Sequence, residues 1–578
     1  MLRPALLLIA AVLVVRVLYI ALWCPFSLVE DEAHYWDWSR HLDWSYYTKG
    51  PGIAVVIGAS TRVLGHSEFA VRACMPLFGA VLMGAAALLA ARAGGRRFSS
   101  LTLVDGRRAV YAAGATALIP VFQVMAILAT IDGPYCACWA VAALAAQRAL
   151  MGRSTLSWGV LGLAIGVGFL FKYTILLLVP GLLLFALTAG ASRAVSKRWP
   201  LLLGLAVVLA LAGMAPVVIW NVQNGWPTVA HLMGHLGCAE PSGKSAPAVV
   251  SAPGQGWSPL WTLEFVGTQI GFVGPLLALA VVGVVRARRE VRGSGEGAAA
   301  TEYGPAAWFM ACCGVPILVV YLVVSLITEP EGNWPVAAYV TLAPLAGIMA
   351  AEGMAEYRVR VLRWRAQPVA ERGREGFFRR KPEMLVQVAW HGTLGFGIGA
   401  AVLTGVISLL ARFAPHLPEG VGKLVPLGRL TQARDMAEAA EQLRRELAIQ
   451  TGQEPRIVSQ HYGRASQLAF YLRGQPVVYC SNSRQGGRLT AQDFWADSNL
   501  DAPELRGAAF VIVGGNEKEW GPAFDTLVAK GLLAGVDRKG VHAFLGYGFR
   551  GVVPSVTAVP ASATPSTPLP AGPTKSPP

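Results

Sequence analysis

The sequence predicts an α-helical membrane protein with many transmembrane spans, followed by a small α/β domain near the C-terminus. Of its 578 residues, 54% are hydrophobic and only 14% are charged, and the mean hydropathy is +0.48. A water-soluble globule of this size needs more polar residues to cover its surface. After residue 411 short apolar segments alternate with polar helical ones, and this change predicts the additional domain.

Apolar segments of roughly 18 to 25 residues, long enough to cross a bilayer, recur about eleven times. The first has no small-residue cleavage site after it and is expected to be retained. The segment 53–65 is too short to span and predicts a helix in the membrane interface. The predicted spans are 5–23, 69–93, 109–129, 133–150, 156–171, 173–189, 200–220, 261–286, 306–327, 334–351 and 386–411.

Lysine and arginine are concentrated in alternate connecting loops, which predicts that these loops are cytoplasmic. Examples are "RARREVR" at 286–292 and the long basic loop at 356–381. The net charge of +15 is thus a topology signal, and no nucleic-acid partner is expected. An odd number of spans places the C-terminus outside the cytoplasm.

The domain organisation follows from these changes in composition. Residues 1–411 are predicted to form the membrane domain and residues 412–550 an extracytoplasmic α/β domain. The strands are expected within 456–480 and 508–515, and one helix at 435–449. Residues 551–578 are rich in Pro, Ser and Thr and are predicted to be disordered.

Ionisable residues next to membrane spans are costly to keep there and are typical of functional sites. Residues 28–52, "LVEDEAHYWDWSRHLDWSYYTKGPG", are predicted to be a loop after the first span, with three consecutive acids and many aromatic residues. The other charged candidates near the same face are Lys49, Asp132 and Lys172. A carboxylate that stays ionised there can act as a general base. A lysine held by the rigid "GPG" turn suits a phosphate.

Each of these residues also has a plainer interpretation. The acids can be the solvated start of a loop, Asp132 a helix cap, Lys49 a snorkelling side chain and the aromatic residues an interfacial belt. His231 and His235 have the spacing of a metal-binding pair, with Glu240 near, but no clear third ligand follows. No metal or other cofactor is therefore firmly implied, and a divalent metal stays an alternative.

Five motifs, in this order, resemble the bacterial branch of the protein O-mannosyltransferase superfamily. That branch includes lipid A aminoarabinose transferases and glycosyltransferase family 39 proteins. The motifs are "EDEAHYWDWSRHLDWSYYTKGPG", "ATIDGPY", "GFLFKYTILLLVPG", "WNVQNGWPT" and "EGNWPVAAY". The resemblance covers roughly residues 1–411. It departs from the family at "TKGP", where relatives often have an acid in place of Thr48 and a proline in place of Gly50.

The resemblance implies a GT-C fold and an inverting glycosyltransferase in the bacterial inner membrane. Its donor would be a sugar on a polyprenyl phosphate such as undecaprenyl phosphate, and its acceptor a lipid, glycan or protein hydroxyl. Asp31, Glu32 and Asp132 correspond to catalytic positions, and Lys49 and Lys172 are expected at the donor phosphate. The remaining candidates are expected to bind substrate and are His34, Tyr35, Trp36, Tyr47, Asn333 and Trp334.

A transporter or flippase of lipid-linked sugars is the alternative from another class. Such a protein needs polar groups at mid-depth along a route across the bilayer. Here most of the charged candidates are predicted at the outer membrane face, which favours an enzyme working at that face.

Overall fold

The structure, a computed structural model, describes most of the chain. The described residues are 1–94, 100–151, 154–188, 198–235, 258–293, 303–366, 382–413, 428–533 and 541–552. The predicted disordered tail from residue 553 onward, Glu240 and much of the basic loop after 356 lie outside these ranges. The start of the predicted α/β domain also lies outside them, so the domain boundaries stay predictions.

Helices make up the N-terminal three quarters of the described chain. The first eight helices are α1 (Arg3–Leu18), α2 (Glu30–Arg40), α3 (Gly52–Leu64), α4 (Glu68–Arg72), α5 (Met75–Ala91), α6 (Leu103–Leu118), α7 (Pro120–Met125) and α8 (Asp132–Leu150). They are followed by α9 (Thr155–Phe169), α10 (Leu178–Thr188), α11 (Trp199–Asn224), α12 (Pro227–His235), α13 (Pro259–Val273), α14 (Leu276–Gly293), α15 (Gly304–Val324), α16 (Ala338–Ala366) and α17 (Pro382–Phe413).

Among the described residues, six helical segments are long and apolar enough to cross a membrane, judged by length and composition. They are Arg3–Trp23, Glu68–Ala91, Trp199–Asn224, Gly304–Val324, Trp334–Ala366 and Met384–Phe413. The pair α13 and α14, bent by 98°, would make a seventh if it is one span. The chain is therefore a multi-pass membrane protein. The count of about eleven spans is not confirmed, because several predicted spans are shorter helices here.

The breaks in these shorter helices have local causes. The predicted span 109–129 is divided at Ile119, where the backbone is extended and Pro120 begins the next helix. The predicted pair within 156–189 is divided by a 3-10 turn at Tyr173–Leu177. The second break directly follows Lys172, a residue of the candidate site.

Small residues allow the helices to pack closely. A Cβ atom added to Gly162 of α9 would lie 2.2 Å from the carbonyl oxygen of Ala206 in α11. One added to Gly347 of α16 would lie 2.6 Å from Cα of Ala112 in α6. Such close backbone approaches are typical of helix packing in membranes. Small side chains allow the close van der Waals contact that holds helices together where the hydrophobic effect does not act between them.

The C-terminal part forms the predicted small α/β domain. Its helices are α18 (Gly428–Thr451), α19 (Tyr462–Tyr471) and the short α20 (Glu517–Trp520). Its strands are β1 (Arg456–Ser459), β2 (Tyr479–Cys480), β3 (Phe510–Val513), β4 (Phe524–Leu532) and β5 (His542–Phe549). The sheet order is β2-β1-β3-β5-β4. β1 pairs in parallel with β2 and β3, whereas β5 pairs antiparallel with β3 and β4.

The α/β domain packs against the start of the membrane part. Helix α19 lies against α2, where Gln467 donates to the Leu28 carbonyl at 2.9 Å and the Tyr471 hydroxyl accepts from the Leu28 N–H at 2.7 Å. The Trp36 ring meets the Phe470 ring edge-on, with centroids 4.9 Å apart. These contacts fix α2 between the two parts of the molecule.

Candidate active site

A cavity of about 720 Å³ lies where α2, the N-terminus of α8, the turn at 172–177 and the α/β domain meet. A volume in this range is typical of small-molecule sites. The predicted site residues that line it are Asp31, His34, Tyr35, Lys49, Asp132, Lys172, Asn333 and Trp334. Glu32, Trp36 and Tyr47 do not line it.

Residues 30–40 form the helix α2, whereas the sequence predicted a loop over 28–52. The helix begins after Val29, whose extended backbone ends the preceding segment, and Glu32 accepts from the Val29 N–H at 3.1 Å as in a capping box. The first turn carries Glu30, Asp31 and Glu32, and acids are favourable at this positive end of a helix. Consecutive helical residues point about 100° apart, so these three acids meet different surroundings.

Asp31 is the acid of the three that faces the cavity. Its side chain is open to the cavity but surrounded by protein, and this shielding from bulk water raises the pKa of its carboxyl. The neighbouring Glu30 raises the pKa further, while Lys49 and Arg488 act in the opposite direction. A carboxylate with a raised pKa is a stronger proton acceptor than an ordinary aspartate.

Glu32 is completely buried on the other side of α2. The Arg72 guanidinium donates to both of its carboxylate oxygens, at 2.7 and 2.5 Å, and the Ala129 N–H donates to one of them at 2.8 Å. Glu32 thus ties α2 to α4 and to the segment before Asp132, and its predicted catalytic role stays a prediction that this placement does not favour. A paired, buried carboxylate of this kind is not free to take a proton from a substrate.

Lys49 lies in the turn that follows α2, and close packing brings it to the cavity. A Cβ added to Gly50 would lie 2.5 Å from the Leu170 carbonyl oxygen, and the Gly52 N–H donates to the same oxygen at 3.0 Å. Only glycine allows this approach, and it places Lys49 beside Lys172. Burial lowers the pKa of Lys49 to about 8, and the neighbouring Lys172 contributes in the same direction.

Asp132, Lys172 and Asn333 form one cluster in the cavity wall. Lys172 Nζ donates to one carboxylate oxygen of Asp132 at 2.8 Å, and Asn333 Nδ2 donates to the other at 2.9 Å. Asp132 begins α8, Lys172 follows α9, and Asn333 precedes α16. The cluster thus joins three segments, and Lys172 meets the cavity as half of an ion pair rather than as a lone cation.

The aromatic candidates divide between the cavity and the interior. Tyr35 lines the cavity. Trp36 is wholly buried, and its indole N–H donates to His66 Nδ1 at 2.9 Å. Tyr47 is buried behind the cavity, with its ring centroid 5.1 Å from that of His231. The expectation that Trp36 and Tyr47 contact substrate stays a prediction that their burial does not favour, because both side chains pack inside the protein and do not line the cavity.

His34 lines the cavity but is held by a buried polar network. Burial lowers the pKa of His34 to about 3, so the ring is neutral. Its Nε2 accepts from the Trp38 indole at 3.0 Å, and its Nδ1 lies 3.2 Å from the Ser466 hydroxyl of α19. Ser466 in turn donates to Asp37 at 3.2 Å. His34 therefore positions α2 against the α/β domain.

The cavity also contains residues that the sequence did not single out. Tyr321 comes from α15, and Tyr462 and Arg488 come from the α/β domain. Arg488 is more than 450 positions from Asp31 in the chain, and no local pattern connects them. Of the histidine pair considered for metal binding, His231 lines the cavity, while the His235 side chain is outside the described atoms. Among the described residues no group of three His, Cys, Asp or Glu is arranged to hold a metal ion.

Residues 48–220 match the family model of dolichyl-phosphate-mannose-protein mannosyltransferases. The chain is similar to the lipid A galacturonosyltransferase RgtD of Rhizobium johnstonii, with 29% identity over 324 residues. That alignment covers 55% of this chain and 59% of the relative. The chain thus matches less than two thirds of that relative's length.

Two solved structures of ArnT from Cupriavidus metallidurans have a similar fold. The apo structure gives a TM-score of 0.58 and covers 93% of this chain and 97% of ArnT. The structure bound to undecaprenyl phosphate gives 0.59 and covers 96% and 99%. Sequence identity is 16% in both cases, so the likeness concerns the fold. It confirms the predicted fold class, helical membrane part and C-terminal α/β domain together.

Proposed function

We propose that the chain, a GT-C protein similar to glycosyltransferase family 39, transfers a sugar from a polyprenyl-phosphate carrier to an acceptor hydroxyl. The observation that carries the proposal is the joining of Asp31, Lys49 and the Asp132–Lys172 pair in one cavity of about 720 Å³. A base, a cation for a leaving phosphate and room for a sugar are the parts that glycosyl transfer from a lipid phosphate needs.

In the proposed reaction Asp31 and Lys49 have different roles. Asp31 takes the proton of the acceptor hydroxyl as its oxygen attacks the anomeric carbon of the sugar. The bond from that carbon to the phosphate oxygen breaks at the same time, and the carrier leaves as a polyprenyl phosphate. Lys49 stabilises the negative charge that develops on this phosphate. A single displacement inverts the anomeric configuration.

The proposed location is the extracytoplasmic face of the bacterial inner membrane, with the α/β domain on that side. Helix α16 supports this assignment, since Asn333 and Trp334 lie just before its start and Arg363 and Arg365 lie in its last turn. Helix α8 repeats the pattern, from Asp132 at its start to Arg148 in its last turn. Basic helix ends remain in the cytoplasm, so the cavity belongs at the opposite face.

The proposed acceptor is a lipid, and lipid A is the first candidate because the relative RgtD is named as a lipid A galacturonosyltransferase. The proposed carrier is undecaprenyl phosphate, which is bound in one of the two ArnT structures. Glycan and protein acceptors remain in the proposal as alternatives. A lipid-linked donor also suits the extracytoplasmic face, where nucleotide sugars are not supplied.

The test is sugar transfer by the purified protein in liposomes that contain polyprenyl phosphate carrying a radiolabelled sugar, with lipid A in the same membrane. The expected result is label in lipid A and release of unlabelled polyprenyl phosphate in equal amount. Movement of the intact donor between leaflets, with no cleavage, would instead identify a flippase and contradict the proposal.

A further inference from the structure

The α/β domain contributes part of the cavity wall. Its residues there are Tyr462, at the start of α19, and the segment Arg488–Ala491 between β2 and the 3-10 turn at Ala491–Phe494. The domain is therefore in direct contact with the space in which the proposed reaction takes place. The charged side chain that it contributes to the cavity is Arg488.

The backbone around Arg488 is held from both directions. Asn482 Nδ2 donates to the Arg488 carbonyl oxygen at 2.7 Å. Two residues later, the Thr490 N–H donates to the Asp493 carboxylate at 2.7 Å, which caps the following turn. A loop anchored in this way fixes the backbone from which the Arg488 side chain extends, which lowers the entropy lost when that side chain binds a ligand.

The guanidinium of Arg488 rests on an aromatic ring and not on a carboxylate. Its Cζ atom lies 5.1 Å from the centroid of the Tyr462 ring. Tyr462 itself begins α19, whose Ser466 and Gln467 bond to the α2 region. The Tyr462 side chain also hydrogen-bonds to Arg488, and a guanidinium held against an aromatic residue in this way keeps its remaining N–H donors available for a planar oxyanion.

The charges in the cavity do not all compensate one another. Lys172 is neutralised by Asp132 at 2.8 Å. Within the described ranges, neither Lys49 nor Arg488 has a carboxylate oxygen within ion-pair distance, 4.0 Å. The Lys49 ammonium can contact one oxygen of a bound phosphate. The Arg488 guanidinium is then available to contact another anionic oxygen of the ligand. Asp31 interacts with Arg488 only at longer range, and a half-buried guanidinium with no carboxylate at contact distance favours an anionic ligand.

We propose that Arg488 binds an oxyanion of the substrate, so that the α/β domain is part of the binding site. This inference rests on the proposed function for the identity of the ligand. Two sources offer the same chemistry: the phosphate of the lipid carrier, or the carboxylate of a uronic acid sugar on that carrier. In either case the guanidinium donates two parallel N–H bonds to two oxygens of the anion.

The first measurement is binding of undecaprenyl phosphate, without sugar, to the purified full-length protein and to Arg488→Gln and Arg488→Lys variants. Loss of a charge-assisted contact is expected to weaken binding roughly 10- to 100-fold in Arg488→Gln, with partial recovery in Arg488→Lys. Undecaprenol, which lacks the anion, should bind equally to all of them. The matched control is Arg473→Gln, which removes an exposed arginine of the same domain away from the cavity.

The second measurement distinguishes the two sources. If affinity for undecaprenyl phosphate is unchanged in Arg488→Gln, KM is compared for donors carrying a uronic acid and a neutral hexose. A rise in KM for the uronic acid alone assigns Arg488 to the sugar carboxylate. If Arg488→Gln matches Arg473→Gln with every ligand, the inference is overturned. Because binding is measured without transfer, this result is separable from failure of the proposed reaction.

Discussion

Asp31 and Glu32 are adjacent in the chain but lie in different environments. The helical backbone of α2 directs Asp31 to the cavity and Glu32 into a buried ion pair with Arg72. The same physical feature, a carboxylate near a membrane span, therefore lies in the proposed reaction site in one residue and in a buried ion pair in the next. The sequence could identify the acidic cluster but could not separate these roles, because it predicted a loop instead of a helix.

The lowered pKa of Lys49 makes donor binding depend on pH. Lys49 loses its charge as the pH rises through about 8, so affinity for undecaprenyl phosphate should fall across that range. In a Lys49→Arg variant the cation stays charged, and the fall should disappear. Binding of undecaprenyl phosphate between pH 7 and 10 checks this prediction. An identical alkaline fall in both proteins would assign the titration to another group.

The sequence predicted those cavity residues whose type is unusual for their position in the chain. Asp31, Lys49, Asp132 and Lys172 are charged residues beside apolar spans, where charge is costly, and all four line the cavity. Arg488 stands in a polar segment where an arginine is unremarkable. Its position in the cavity results from the packing of the α/β domain on the membrane part. Hydrophobic periodicity predicts helices and strands but not contacts between domains.

At the scale of secondary structure, the start of α8 connects three segments of the membrane part. Asp132 bonds to Lys172 after α9 and to Asn333 before α16. The 3-10 turn at Tyr173–Leu177 directly follows Lys172, and a second helix break lies at Ile119–Pro120. Hydropathy predicted one continuous span over 109–129, because it averages over windows longer than the turn at Ile119–Pro120, whereas it did place a boundary between 171 and 173.

Substitution of Asp132 tests whether the cluster is structural, catalytic or both. Asp132→Asn leaves the buried Lys172 ammonium without its partner, and we expect a loss of stability on the order of 3 kcal/mol and a large loss of transfer. Adding Lys172→Met removes the uncompensated charge and should restore most of the thermal stability in detergent, with transfer still low. If the double variant also regains transfer, the pair has only a structural role.

At the scale of the whole molecule, the cavity and the basic helix ends lie at opposite ends of the same helices. Helix α16 has 29 residues, which corresponds to a length of about 43 Å, enough to cross the bilayer. The basic-loop pattern predicted this polarity of the helices. The number of spans is harder to predict, since α13 and α14 are apolar enough to count as one span together, but hydropathy does not show the 98° bend between them.

Cysteine labelling tests the orientation directly. Arg292→Cys at the end of α14 should react with a membrane-impermeant maleimide only after permeabilisation, because basic helix ends remain in the cytoplasm. Arg473→Cys, exposed on the α/β domain, should react in intact cells from the outside. Both are made in a background without other reactive cysteines. The reverse pattern would place the cavity on the cytoplasmic side and remove the reason for a lipid-linked donor.

The most direct test of the central claim, that Asp31 activates the acceptor, compares single-turnover transfer and donor affinity in the wild type and Asp31→Asn. The account predicts a rate lower by roughly 10²–10⁴ with donor affinity nearly unchanged. Because the pKa of Asp31 is raised, the wild-type rate should begin to fall, as the pH is lowered, at a pH above the ordinary pKa of an aspartate.

The control is Glu30→Gln, which should keep the rate and move this acid limb to lower pH, because Glu30 raises the pKa of Asp31. An Asp31→Asn protein that transfers sugar at the wild-type rate when saturated with donor, or that loses donor binding instead of rate, would contradict the account.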